Sequence, residues 1–180
     1  EADHTTVAQH AALAEALDDL AVPPRLVALE GTVEEHRLAK DDDELYAIRR
    51  AVRIADDVMA LAAESMRPSV TERQVAGLLE SEMRRLGAHE PSFETIVAAG
   101  PNSAMAHHRP AGHALEAGEP VVVDLGVKVD GYCSDITRTF VVGSPTDRFN
   151  EMYDLVLRAQ GTALDGIRAG MTGVQADALA

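Results

Sequence analysis

The chain has 180 residues, of which 46% are hydrophobic and 26% charged, so it has enough apolar side chain for a folded core. Its formal net charge of −14 argues against binding to nucleic acid or to an anionic membrane, and no run of residues is apolar over a membrane-spanning length. The single cysteine, Cys133, excludes an internal disulfide framework and suits a reducing cytoplasm, which is the location we expect.

The first third of the chain predicts helices with one short strand between them. A helix is expected over about residues 7–20, a strand over 25–29, and a long helix over about 42–66. An acidic cluster at 34–35 and 41–44 is expected to face water and to stabilise helix starts. The apolar positions of the long helix recur at spacings of three and four residues: Leu45, Ile48, Val52, Ala55, Met59 and Ala62.

The next helix carries signals at both ends. Thr71 is a predicted N-cap with Gln74 as its capping-box partner, and Gly87 suits the C-terminal end. A strand over 93–99 and a long loop over 100–118 are expected to follow.

An Asp130-Gly131 pair between two β-branched runs predicts a hairpin with a two-residue turn. In that register Val129 pairs with Tyr132, so the numbers of paired residues sum to 261 (129 + 132). Asp124 then lies opposite Thr137, and Asp135 lies opposite Gly126. Alternation along the strands places the two aspartates on one face as diagonal neighbours, roughly 5–8 Å apart at Cβ.

Two carboxylates at that spacing can share a divalent cation or bridge two. Asp124 follows three valines, which predicts a buried strand and a carboxylate that needs a partner such as a metal ion. Gly126 is expected to leave room for the ion opposite Asp135. The alternative, a solvent-facing hairpin with two ordinary acidic residues, remains open at this point.

The loop carries His107, His108 and His113. We interpret His108 and His113 as solvated loop histidines. A small zinc site built from the three is an alternative, but their spacing matches no common structural zinc pattern.

A last long helix is predicted from Thr146 to Ile167, with a further cap at Thr172. A weak internal repeat accompanies it, with a spacing of 101 residues (168 − 67). The four matching pairs are Arg67 and Arg168, Thr71 and Thr172, Gln74 and Gln175, and Leu78 and Leu179.

Four segments together resemble the creatinase/aminopeptidase P/prolidase group of metallopeptidases: residues 92–102, 107–110, 123–126 and 131–140. The resemblance covers roughly residues 30–180. It implies an α+β pita-bread fold, represented by its first half and the start of a second pseudo-repeat. Residues 1–33 would be the tail of a separate N-terminal domain, and residues 34–180 a partial pita-bread domain.

The resemblance also implies hydrolysis of N-terminal Xaa-Pro bonds in peptides or dipeptides by two divalent metal ions, most often Mn²⁺. Asp124 would chelate one ion, Asp135 would bridge both, and His107 would contact the substrate near the scissile bond. A water bridging two such ions is acidified to hydroxide near neutral pH, and the ions polarise the peptide carbonyl. A homodimer is the expected state of the complete protein.

The sequence departs from the family pattern because a third ligand histidine and two ligand glutamates, expected from a second half, are absent. The chain also starts at Glu1 rather than Met and stops at Ala180 in a predicted helix, so we expect a fragment that is not a competent peptidase by itself. The alternative is a non-catalytic half-domain acting as a binding or assembly module. Metal-free creatine hydrolysis and methionine aminopeptidase activity are disfavoured by the paired aspartates and by the preceding domain, respectively.

Overall fold

The computed structural model describes residues 5–180 and divides into two compact units, one ending at Leu45 and one comprising Tyr46–Ala180. The helices are α1 (Val7–Asp18), α2 (Thr32–Leu38), α3 (Asp42–Ser65), α4 (Glu72–Arg85), α5 (Asp147–Gly166) and α6 (Gly173–Asp177). The strands are β1 (Glu90–Pro91), β2 (Ile96–Ala99), β3 (Pro120–Leu125), β4 (Val127–Val129), β5 (Tyr132–Cys133) and β6 (Ile136–Val141), and a 3-10 helix (Gly100–Ala104) follows β2. Within residues 5–180 no helix combines the length and apolar character needed to cross a membrane.

The first unit contains α1 and α2. The predicted first helix is confirmed as α1, which begins after a capping box between Thr6 and Gln9. The predicted strand over 25–29 is wrong, because the described part of this unit offers no strand with which it could pair. The proposed boundary after residue 33 stays a prediction, and residues 1–4 of that predicted tail lie outside the described residues.

The core of the second unit joins one face of α3 and one of α4 to the sheets. The predicted long helix is confirmed, but its buried face differs in part from the expected one, since Val52 is 44% exposed. The face is rich in alanine, which lets neighbouring elements pack closely against the helix. Its buried residues are Ala47, Ala51, Ile54, Ala55, Val58, Met59 and Ala62.

The predicted ends of α4 are confirmed. The Thr71 side chain accepts a hydrogen bond from the backbone of Gln74, and the Gln74 side chain accepts one from the backbone N–H of Thr71. Gly87, just beyond the helix, has a φ of 98°, a left-handed conformation that favours glycine.

The strands form two antiparallel sheets, ordered β2-β3-β6 and β1-β4-β5. The predicted hairpin register is confirmed, because Val129 pairs with Tyr132 and Asp124 pairs with Thr137. Asp130 and Gly131 have φ values of 50° and 86°, as a two-residue hairpin turn requires.

Helices α5 and α6 confirm the predicted helical C-terminal region. Thr172 and Gln175 form the same capping box at the start of α6 as Thr71 and Gln74 form at the start of α4. The described residues of α5 and α6 include none that is buried. The repeated sequence signal therefore corresponds to a repeated local structure.

Candidate functional site

The structure brings together the three residues singled out by the sequence. Asp124, Asp135 and His107 line one open cavity of about 460 Å³ in the second unit. The remaining lining residues come from the segment before β2, from β2 itself and from the loop after it: Phe93, Glu94, Ile96, His108 and Arg109. Ile96 on β2, Asp124 on β3 and Asp135 just before β6 thus form the floor of the cavity, and the loop forms its rim.

Asp124 lies on β3 and is half-buried. The prediction of a buried carboxylate is wrong, because the valine run alternates: Val121 and Val123 point into the core, while Val122 and Asp124 lie on the partly exposed face. The Thr137 hydroxyl donates a 2.7 Å hydrogen bond to Oδ1 of Asp124 across the strand pair. This bond fixes one carboxylate oxygen.

Asp135 is exposed and follows Ser134, which is buried. The backbone N–H of Ser134 donates to the carbonyl of Val127 at 2.9 Å, and its hydroxyl accepts from the backbone N–H of Val127 at 3.1 Å. These bonds hold the chain next to Asp135 at the point where the two sheets separate. That point lies between β3 and β4 on one arm of the hairpin and between β5 and β6 on the other arm.

Gly126 lies at the same break, and its role differs from the predicted one. A Cβ at this position would overlap the carbonyl oxygen of Ser134 and would lie 2.9 Å from Oγ of Ser92. The prediction that Gly126 leaves room for an ion is wrong, since the space is occupied by the Ser134 carbonyl and the Ser92 hydroxyl.

Ser92 completes this junction and was missed by the sequence reasoning. Its hydroxyl donates to the Ser134 carbonyl at 2.9 Å, and its backbone N–H donates to the Gly126 carbonyl at 3.0 Å. The sequence signal for these contacts is that Ser92 and Ser134 each lie near a strand, which is too common to single them out.

The three loop histidines differ in their surroundings. His107 is exposed at the cavity rim. The interpretation of His108 as solvated is wrong, because its side chain is only 10% exposed and its Nε2 lies 2.8 Å from Oε2 of Glu72. His113 is partly exposed and pairs with Glu119 at 3.3 Å, so it is not simply solvated either.

Glu72, the first residue of α4, is fully buried. Burial by itself raises the pKa of this carboxyl, but hydrogen bonds from Ala99, Asn102, His108 and Ala111 outweigh it and hold the pKa below its usual value. Because an ionised carboxylate only accepts hydrogen bonds, the His108 nitrogen that faces it carries the hydrogen. Sequence reasoning missed Glu72, since an acidic residue at a helix start normally faces water.

The donor set of the cavity suits a hard cation in kind but is small in number. Asp124 and Asp135 supply carboxylate oxygens, which Mg²⁺, Ca²⁺ and Mn²⁺ prefer. Within residues 5–180, no group of three or more His, Cys, Asp or Glu side chains is placed to hold a metal ion. The two aspartates can therefore act as part of a ligand set.

Comparison with known families identifies the chain. Residues 46–180 match the model of metallopeptidase family M24. The chain belongs to this family. The match covers all of the second unit, including the strand pair and the rim of the cavity.

Relatives of this M24 chain include an uncharacterized peptidase and two proteins named as Xaa-Pro dipeptidases. An uncharacterized peptidase of Bacillus subtilis, YqhT, is 42% identical over 154 residues, which are 86% of this chain and 44% of that protein. An Xaa-Pro dipeptidase of Pyrococcus furiosus is 38% identical over 152 residues, which are 84% of this chain and 44% of that protein. The solved structure of the Xaa-Pro dipeptidase from Bacillus anthracis superposes with a TM-score of 0.91 at 40% identity. The match covers 99% of this chain and 49% of that structure.

The chain thus spans about half the length of these M24 relatives. The predicted fold class, an α+β pita-bread fold, is confirmed, as is the predicted membership of a metallopeptidase family. The roles expected of Asp124, Asp135 and His107 stay predictions.

Proposed function

We propose that this chain is part of an Xaa-Pro metallopeptidase that cleaves the bond before proline at the N-terminus of peptides or in dipeptides. One observation carries the proposal: Asp124 and Asp135, on paired segments of an M24 chain, line the same cavity as His107. The names of the relatives support the substrate class, since the P. furiosus and B. anthracis proteins are Xaa-Pro dipeptidases.

In this proposal Asp124 and Asp135 would hold divalent ions, Asp135 as a ligand shared by two, with Mn²⁺ the expected metal. Ions bound there would supply a water of lowered pKa and would polarise the scissile carbonyl. Thr137 holds one oxygen of Asp124 through its 2.7 Å hydrogen bond, so the carboxylate is oriented before any ligand arrives. The exposed His107 at the rim contacts the peptide near the scissile bond.

The proposal includes a requirement for further ligands. Two aspartates supply too few oxygens to hold two ions tightly, because hard divalent cations take about six or more ligands. We therefore propose that activity needs additional ligand residues, one histidine and two glutamates, from a further segment or from another chain.

Metal titration tests the assignment of the aspartates. Binding of Mn²⁺ to the 180-residue chain, followed by calorimetry, is expected to be weak and to be lost in Asp135→Asn. Asp130→Asn is the matched control, since it removes a carboxylate from the same hairpin. The Asp130 carboxylate pairs with Arg50, and Asp130 is not among the residues that line the cavity. Equal loss of binding in both variants would contradict the assignment.

An activity assay tests the need for further ligands. The chain with Mn²⁺ is expected to leave an Xaa-Pro dipeptide and a longer Xaa-Pro peptide intact. Cleavage by this chain alone that Asp135→Asn abolishes would overturn the requirement while supporting the peptidase assignment.

A second candidate function is a non-catalytic half-domain that acts as a binding or assembly module. It is favoured by the lack of a cluster of three or more potential ligands among the described residues. The same titration separates the two candidates, because the module has no reason to bind Mn²⁺ through Asp135.

The remaining parts of the proposal concern setting and partners. A proline-containing peptide is the partner, and the net charge of −14 supports the absence of nucleic acid and membrane partners. We also propose a homodimer for the complete protein and a cytoplasmic location, the latter supported by the free cysteine, Cys133.

A further inference from the structure

Glu72 is a buried carboxylate that the proposed chemistry does not use. It has no solvent exposure, and each of its oxygens accepts two hydrogen bonds. Oε1 accepts from the backbone N–H of Ala99 and from the side-chain amide of Asn102, both at 2.9 Å. Oε2 accepts from Nε2 of His108 at 2.8 Å and from the backbone N–H of Ala111 at 3.0 Å.

All four donors belong to one segment, residues 99–111. This segment leaves β2, passes through the 3-10 helix, and carries His107 and Arg109 at the cavity rim. It then returns to the start of α4, where the backbone N–H of Glu72 donates to His113 and that of Arg73 donates to Ala111. The first turn of α4 therefore holds the segment by its backbone and by one side chain.

The position of His107 depends on these anchors. Residues 105–111 lie outside regular helix and strand; the backbone N–H of His108 bonds only locally, to Met105 at 3.1 Å, and the Ala111 carbonyl accepts from Arg73 at 3.1 Å. The carboxylate joins the beginning of the segment, at Ala99 and Asn102, to its end, at His108 and Ala111. Without this link the rim has fewer constraints than the strands that carry the aspartates.

An ordinary helix-start glutamate does not explain this arrangement. Acidic residues in the first turn interact favourably with the helix dipole while remaining in water, and Glu72 instead has all its bonding capacity taken up by one loop. We propose that Glu72 is a positioning residue that holds His107 at the rim of the Asp124/Asp135 cavity. The importance of that rim rests on the peptidase function proposed above.

Glu72→Gln is the sharpest variant, because it keeps the size of the side chain. A glutamine oxygen can accept one pair of bonds, but its NH₂ group then faces the two donors of the other pair. Either orientation of the amide leaves one backbone donor, the N–H of Ala99 or that of Ala111, without its acceptor, while the backbone bonds from α4 to Ala111 and His113 remain. Glu82→Gln on the same helix is the matched control, since Glu82 bonds to Arg85 and makes no contact with the loop.

Amide hydrogen exchange of the 180-residue chain, without metal or substrate, measures the effect. In Glu72→Gln the amides of Met105, His108 and Ala111 are expected to exchange roughly tenfold faster, as the loss of one or two hydrogen bonds implies, while those of Val123 and Phe140 remain protected over the same exchange time. Unchanged loop exchange, or loss of protection throughout the second unit in the same exchange time, would overturn the positioning role. Glu82→Gln is expected to leave the loop as it is.

The imidazole resonances of His107 give a second readout that a merely structural role would not move. They are expected to change in Glu72→Gln, because the backbone beside His107 is less constrained, and to stay in place in Glu82→Gln. An unchanged His107 signal alongside a loosened loop would overturn the proposal.

A milder variant keeps the test open if Glu72→Gln does not fold. His108→Ala removes one donor to Glu72 and is expected to speed exchange of the same amides and to shift the His107 resonances. His113→Ala is the control on the same loop, because the His113 side chain contacts Glu119 instead of Glu72. No shift of His107 in His108→Ala would overturn the proposal. None of these measurements involves hydrolysis, so failure of the peptidase proposal would be recognised separately, by the metal titration.

Discussion

Nε2 of His108 lies 2.8 Å from Oε2 of Glu72, and this contact ties the rim of the candidate site to the first turn of α4. The floor of the site is held differently, by strand pairing between β3 and β6. The site therefore combines a floor fixed by a hydrogen-bonded ladder with a rim held by the first turn of α4, through one buried carboxylate and two backbone bonds. Substitutions in these two parts are expected to have different consequences.

Acid should weaken the fold through Glu72. Its pKa is lowered in the folded chain because four hydrogen bonds outweigh the opposite effect of burial, so the folded state binds fewer protons than the unfolded state. The stabilisation is present above the ordinary value of 4.5 and is lost as the pH falls through the lower folded pKa. At neutral pH we expect Glu72→Gln to lower the free energy of unfolding by about 3 kcal/mol. Below pH 4.5 the free energies of unfolding of the variant and of the unmodified chain should become more similar.

Urea unfolding of both chains at several pH values between neutral and strongly acidic measures that difference. A constant difference over the whole range would contradict the role of the ionised carboxylate.

Two glycine-to-alanine substitutions should have opposite effects on stability. Gly126→Ala places a Cβ against the Ser134 carbonyl, where the backbone must shift, and should cost roughly 1–3 kcal/mol. Gly77→Ala, within α4, meets open space and should stabilise by about 0.5–1 kcal/mol through better helix propensity. Thermal unfolding of both variants tests these two predictions. Similar shifts of the unfolding temperature in the same direction would contradict the difference between the crowded position of Gly126 and the open position of Gly77.

The hydroxyl of Thr137 should matter for metal binding if Asp124 is a ligand. Thr137→Val keeps the shape but removes the 2.7 Å hydrogen bond to Asp124, and a loss of about tenfold or more in Mn²⁺ affinity is expected for an outer-shell partner. Thr139→Val, on the same strand and opposite Val122, is the control and should bind as before. Calorimetric titration compares them; equal affinities for the two variants would argue against the orienting role.

The two matching capping boxes should respond differently to loss of the threonine. Each Thr→Ala change removes a cap worth about 1 kcal/mol. Thr71→Ala should lower the free energy of unfolding by that amount, because α4 packs into the core. Thr172→Ala should loosen only α6, which has no buried residue, and should leave the unfolding midpoint unchanged. Hydrogen exchange of the Gln175 amide measures the loosening of α6, and chemical unfolding measures the stability of the whole chain. An equal fall in the free energy of unfolding for Thr71→Ala and Thr172→Ala would count against this difference in packing.

Local sequence patterns predicted α1, α3, α4 and α5, the capping boxes at Thr71 and Thr172 and the hairpin register, but not the short helix α2. Thr71 with Gln74 and Asp130 with Gly131 act through bonds and backbone angles within a few neighbouring residues, so the tertiary fold was not needed to recognise them. The pairing of Asp124 with Thr137 followed from the turn alone, because a two-residue loop sets every later pair. The resemblance to a metallopeptidase family was likewise carried by the residues themselves.

Only the tertiary structure decided what surrounds the site. The burial of Glu72 and its contact with His108 join residues 36 positions apart, and the approach of Ser92 to Ser134 joins residues 42 positions apart. Gly126 is required by the position of the Ser134 carbonyl, and Asp124 is half-buried because one face of its strand borders the cavity. Such contacts depend on how distant segments pack together, which propensity and periodicity within a short window do not specify.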